Sequence, residues 1–202
     1  MPQRHLRRAA HVTLVLLLAL ALPAAAQTKG ISLGFEGLLS NLTSTSSAYS
    51  SDDEFGYRFG ASYSRFVKQR LFFEGGVYYE DAGFNLTGPN GLRDDVRIRG
   101  IRVPAMVGIG IGAPKLNLEL SAGPTVTFRT SVNSNIFTIG SDDVNGVLFG
   151  GTAGVSARLF FLNATVGYDF GFTNLFSGSA QQQFGSGNLN HWRLTLGFIV
   201  GG

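Results

Sequence analysis

The strongest constraint on this chain is a two-residue period. In KLNLELSAGPTVTF one parity carries Leu116, Leu118, Leu120, Ala122, Pro124, Val126 and Phe128. The other carries Asn117, Glu119, Ser121, Gly123, Thr125 and Thr127. A helix would mix the two sets around its axis, whereas a strand places them on opposite faces. The same split recurs over 31–36, 55–64, 71–80, 97–111, 147–156, 162–171 and 192–200, which makes eight strands. Their connections alternate in length. Those near 67–70, 112–115 and 158–161 are short, and those near 39–53, 81–96, 129–145 and 173–190 are long.

Alternation alone leaves open which face points inward. A soluble, lipocalin-like barrel has the same period with its apolar face inside. The polar face decides. A water-facing surface carries roughly 25–35% charge, yet this face is mostly Gly, Ser, Thr and Asn, with about one charge per strand. The apolar face is bulky, with Tyr57, Tyr79, Phe128, Phe172 and Trp192 near strand ends. Bulky residues outside and small residues inside suit a narrow barrel in lipid. The expected fold is therefore all-β: an eight-stranded antiparallel up-and-down transmembrane β-barrel. Its short turns are expected on the periplasmic side with both termini, and its long loops outside.

The amino terminus fits that destination. Arg4, Arg7 and Arg8 precede an apolar run from Val12 to Leu22, and Ala24-Ala25-Ala26 follows. This order reads as a cleaved secretory signal peptide over 1–26, with the barrel domain over 27–202. The run is too short to span a bilayer as a helix. Of the 16 Lys and Arg, those three leave with the leader, so 13 bases face 13 acids in the remainder. A near-neutral mature chain argues against a nucleic-acid partner. With no cysteine, a disulfide scaffold is excluded.

IRVPAMVGIGIG, then LNLELSAGP, then GVSARLFFLNATVGYDFGFTNL resemble the PorT-like outer-membrane β-barrel family, often labelled porin-family protein. The resemblance spans about 30–200. It implies an outer-membrane location and allows a part in secretion or envelope assembly.

Parity places seven charges in the lumen: Glu36, Arg58, Glu74, Arg102, Glu119, Asp169 and Arg193. An eight-stranded barrel is just wide enough for side chains to fill it, so these charges should pair. They read either as a salt-bridge plug or as the lining of a narrow, gated pore. Gly56, Gly60, Gly76, Gly108, Gly110, Gly123, Gly150, Gly154, Gly167 and Gly197 share the inner parity and are expected to make room for Arg and Glu side chains. Pro104 suggests a bulge in its strand, and Ala113-Pro114 falls in a turn.

Three acidic pairs, Asp52-Asp53, Asp94-Asp95 and Asp142-Asp143, each precede a strand returning from the long loops. They read as solvated loop ends or as divalent-cation ligands at the lipopolysaccharide headgroup level. GIGIG (108–112) lacks the Lys-Ser/Thr of a phosphate loop. Outside the leader the one histidine is His191. A lipid-modifying enzyme would need it at the membrane edge beside a serine such as Ser177, Ser179 or Ser186. No cofactor is expected. The expected partners are outer-membrane lipid and lipopolysaccharide, with envelope proteins reached through the long loops. The expected role is structural or interactive rather than enzymatic, with a narrow porin-like channel as the first alternative.

Overall fold

The computed structural model describes residues 29–44, 48–67, 70–113, 116–134 and 136–200. The expected leader at 1–26 and Pro114 of the expected turn lie outside them. The chain forms eight strands: β1 (Lys29–Ser44), β2 (Ser50–Phe66), β3 (Leu71–Thr87), β4 (Arg93–Ala113), β5 (Leu116–Asn133), β6 (Val147–Leu159), β7 (Leu162–Gly171) and β8 (Gly187–Val200). They close in chain order into one barrel. Every neighbour is antiparallel, and β1 meets β8 through pairs such as Leu33↔Phe198 to complete the ring. This is the expected eight-stranded up-and-down barrel.

Two of the four expected long connections are strand instead. β1 and β2 run on until only 45–49 separate them, and β3 and β4 until only 88–92 do. The reason is an inversion of the pattern. Through most of the wall, large apolar residues face out and polar ones face in. Beyond Leu39 and Asp81 the faces exchange roles. Leu42, Phe84, Leu86, Val96 and Ile98 now point inward and are buried, while Asn41, Thr87, Asp95 and Arg99 point out. A wall that leaves lipid and enters water must invert in this way, because its solvent changes and its period does not.

Above the inversion the two long loops fold into the barrel mouth. Residues 134–146 carry a short 3-10 turn, Ser141–Asp143, and residues 172–186 carry α1 (Gly178–Phe184). Ile139, Val144, Leu175, Phe176, Ala180 and Phe184 join Leu42, Phe84, Leu86 and Val96 in one apolar cluster. Phe176 packs on Phe184 at 5.3 Å between ring centroids and on Phe84 at 6.3 Å. Tyr49 meets Phe184 edge-on at 5.0 Å. Each large side chain buried here contributes about 1.5–3 kcal/mol. The loops also complete the wall where β6 and β7 stop short. Arg129 N–H bonds the Gly146 carbonyl at 2.9 Å, Asn145 N–H the Leu175 carbonyl at 2.9 Å, and Leu175 N–H the Gly187 carbonyl at 2.7 Å.

Toward the opposite end Phe66 and Phe72 point into the barrel, with their rings 5.3 Å apart. Ile199 is buried there as well. A Cβ at Gly108 would fall 2.3 Å from Phe72 Cζ, so glycine is required for this close approach. The inward glycines thus serve aromatic rings as well as charges. Tyr78 lies against Gly60 and Gly76, where a Cβ would come within 2.7 Å of its ring. Gly154 and Gly167 make room for the Arg193 guanidinium, as expected.

Pro104 produces no bulge. It pairs with Thr125 in β5 without a change of register. On the β3 side the ladder skips from Gly75↔Ala105 to Tyr78↔Arg102, so the missing N–H is absorbed as a gap in hydrogen bonding. The irregularities fall elsewhere, between Asp53 and Tyr57 in β2 and beside Arg99 and Gly100 in the β4–β5 ladder.

Candidate functional site

Midway along the lumen six charged side chains converge from six strands. Glu36 comes from β1, Arg58 from β2, Glu80 from β3, Arg102 from β4, Asp169 from β7 and Arg193 from β8. All are 8% exposed or less. Arg58 is the hub. It donates through Nη1 to Glu36 Oε2 at 2.5 Å, through Nε to Glu80 Oε2 at 2.9 Å and through Nη2 to Asp169 Oδ2 at 3.0 Å. Its Nη2 also contacts Glu80. Arg102 Nη2 lies 3.1 Å from Asp169 Oδ2, and its Nη1 is 3.9 Å from Glu80 Oε2. Arg193 spans Asp169 Oδ1 at 3.4 Å and Glu36 Oε1 at 3.6 Å. It also donates to Thr152 Oγ1 at 3.2 Å, and Thr195 Oγ1 donates to Glu36 Oε1 at 3.1 Å.

Three acids therefore face three arginines, and the group is neutral. Buried ions cost several kcal/mol each to desolvate, a cost offset only by close pairing and full hydrogen bonding. The planar guanidinium fork suits this task, since one Arg can bind several carboxylates. A group so connected crosses the section of the barrel it occupies, and a cavity of about 40 Å³ borders it.

The seven charges expected in the lumen divide into three sets. Glu36, Arg58, Arg102, Asp169 and Arg193 meet in the network. Glu119 lies nearer the turn end and pairs with Arg158, Nε to Oε1 at 3.3 Å, while Asn117 Nδ2 donates to it at 3.0 Å. Glu74 joins neither group. Glu80 and Arg158 complete the pairings and were not among the expected seven. Both share the inward parity of their strands. Glu80 abuts Asp81, where the alternation inverts, and Arg158 lies where a turn is expected.

The acidic pairs serve the loops. Asp94 points inward and accepts from Ser134 Oγ at 2.6 Å, Ile136 N–H at 3.0 Å and Phe137 N–H at 2.8 Å, which ties the 134–146 loop to the wall. Asp143 accepts from Gly140 N–H at 2.9 Å. Asp52 forms an exposed ion pair with Arg93 at 3.9 Å. Among the described residues no group of three His, Cys, Asp or Glu side chains is placed to hold a metal ion. His191 turns into the lumen rather than toward the membrane edge, and its Nδ1 lies 2.8 Å from Ser40 Oγ. Ser177 Oγ instead donates to the Asp142 carbonyl at 3.0 Å.

The outer wall carries the complementary information. Phe35, Phe59, Val77, Leu118, Val155, Leu194 and Phe198 are each about half exposed and ring the barrel. Residues 12–199 match the sequence profile of the outer membrane protein beta-barrel domain. The chain belongs to that family. It is an outer-membrane β-barrel, and its apolar wall faces lipid. No curated protein sequence matches it. Among solved structures it is similar to Ail, the attachment invasion locus protein of Yersinia pestis. The two share 14% identity, with 85% of this chain and 97% of that chain covered and a TM-score of 0.49. It is also similar to Neisserial surface protein A, at 13% identity, 84% and 96% coverage and a TM-score of 0.49. A further neighbour is the N-terminal β-barrel domain of Pseudomonas aeruginosa OprF, at 11% identity, 83% and 97% coverage and a TM-score of 0.39.

Proposed function

We propose that this family member is a sealed, non-enzymatic barrel that acts in the cell envelope through the surface of its long-loop end. The closure of the lumen at three levels carries this reading. An apolar cap packs into the loop end, the Arg58 network crosses the middle, and Phe66 with Phe72 narrows the turn end. A conducting lumen would need a continuous hydrated path, and aqueous porins use 16–18 strands to make one. The seven expected luminal charges act in this reading as structure rather than as a filter.

The orientation follows from the same logic. The leader at 1–26 exports the chain, both termini stay periplasmic, and the capped end stands outside among lipopolysaccharide and envelope partners. The resemblance to PorT-like proteins supports a share in secretion or envelope assembly. The lipid-modifying alternative loses its support, because the imidazole it requires faces Ser40 inside the lumen.

Planar-bilayer recording tests the reading. Purified protein is expected to give no reproducible single-channel steps, and regular steps would favour the narrow channel. A photo-crosslinker at exposed Gln182, applied to intact envelopes, should capture neighbours that one at buried Phe84 does not. Equal capture at both would remove the loop end as the contact surface.

A further inference from the structure

Side-chain charge is spread unevenly along the barrel axis. The Arg58 network at mid-height is neutral, with three acids and three arginines. On its loop side the barrel domain places eight acids and four bases. On its turn side it places six bases, Lys29, Arg65, Lys68, Arg70, Lys115 and Arg158, and two acids, Glu74 and Glu119. Both of those acids share the inward parity of their strands, and Glu119 is taken by Arg158. Among the described residues, the outer surface of the turn end therefore carries charge of one sign.

Arg65 and Arg70 are exposed on that surface, and among the described residues no acid pairs with either. Arg65 is also the ladder partner of Lys29 in β1. Like charges at opposed ladder positions are destabilising, and an anion held beside them offsets that cost. Lys68 and Lys115 fall, by sequence, between the strands that turn at this end. Toward the middle of the wall the same outer face becomes apolar. Ile31 and Tyr63 are partners one step further along the β1–β2 ladder, Phe73 is the partner of Arg65 in β3, and all three are about half exposed. The wall faces lipid, so bases at its turn edge stand at headgroup depth. Bases at that depth are drawn to anionic headgroups. A basic rim over an apolar face matches the two parts of one molecule, a phosphodiester and its acyl chain.

We infer that the turn-end rim around Arg65 and Arg70 binds the headgroup of an anionic phospholipid, whose acyl chain runs along Phe73 and Tyr63. This rests on the proposed orientation only for the leaflet concerned, which is then the periplasmic one.

Lipid titration tests it. The refolded protein in a neutral detergent receives phosphatidylglycerol or phosphatidylcholine of the same acyl chains, and bound lipid is counted by native mass spectrometry. Wild type is expected to bind phosphatidylglycerol about 30-fold more tightly, about fivefold for each exposed arginine. R65Q/R70Q should bind the two lipids alike. R93Q, which removes an exposed base at the loop end, should keep the preference. Inorganic phosphate in large excess should leave the phosphatidylglycerol bound. Equal binding of the two lipids by wild type overturns the proposal, whether or not R65Q/R70Q refolds. So does a preference that survives in R65Q/R70Q or is lost in R93Q. Displacement by inorganic phosphate would assign the rim to free phosphate and overturn the lipid. Neither conductance nor orientation enters the measurement, so it fails independently of the sealed-barrel reading.

Discussion

Arg58 and Asp169 stand 111 positions apart in the chain and meet at 3.0 Å in the middle of the lumen. Their strands, β2 and β7, are not neighbours in the sheet. The contact therefore crosses the barrel and ties opposite walls together. It also makes the lumen a packed interior, with ions in the place that aliphatic side chains take in a soluble core.

Removing the hub should be costly. Arg58→Met leaves Glu36, Glu80 and Asp169 buried without their main partner. A loss of about 3–5 kcal/mol is expected in urea unfolding, the usual cost of breaking a buried ion pair from one side. Arg93→Met breaks only the exposed pair with Asp52 and should cost under about 1 kcal/mol. Similar losses for the two variants would show that the luminal network is not a principal source of stability.

Two glycines should respond differently to one methyl group. At Gly60 a Cβ would meet the Val77 carbonyl at 2.2 Å and the Tyr78 ring at 2.7 Å. At Gly37, on the outer face, the nearest atom is a Phe55 ring carbon at 3.5 Å. Gly60→Ala is expected to lose about 1–3 kcal/mol through overpacking, and Gly37→Ala to remain near wild type. Loss of the heat-modifiable gel shift provides a rapid readout.

Asp94 is the tie for one loop of the cap. Asp94→Ala removes the acceptor for Ser134 Oγ and for the N–H groups of Ile136 and Phe137. Limited proteolysis of the protein in liposomes should then cleave between 134 and 140 at rates where wild type stays intact. The barrel band should persist after cleavage, because the strands below do not depend on that loop. An unchanged cleavage pattern would mean that the apolar cluster alone holds the loop.

Trp192 reports which face meets lipid. It is the one tryptophan in the chain, it is 59% exposed on the outer wall, and its ring lies 4.9 Å from Tyr168. Lipids brominated along the acyl chain should quench its fluorescence strongly, and a water-soluble quencher should do so weakly. The reverse order would place this face in water and invert the reading of the wall.

The barrel was legible because its signal is local. Each strand repeats the two-residue period, and that period requires no knowledge of what lies opposite. Leu116 to Phe128 declares a strand and two faces from its own residues. The scarcity of charge on the small-residue face then assigns lipid to the bulky one. Parity likewise placed Arg58, Asp169 and Arg193 inside. It failed to extend β3 past Glu80, where Asp81 and Ala82 exchange the roles of the two faces. Beyond that point polar residues on the outward parity read as a loop.

What the sequence determined alone is therefore the eight alternating strands, the lipid-facing wall and seven of the inward charges, without Glu80 and Arg158. Tertiary structure decided which charges meet and what packs into the ends. Pairing across the lumen depends on the register of a closed ring, since a shift of one residue turns every side chain to the other face. The seals depend on loop residues such as Phe176 and Phe184 reaching Phe84, a strand residue far away in sequence. Those contacts are non-local, so no window of the sequence contains both partners, and only the closed barrel brings them together.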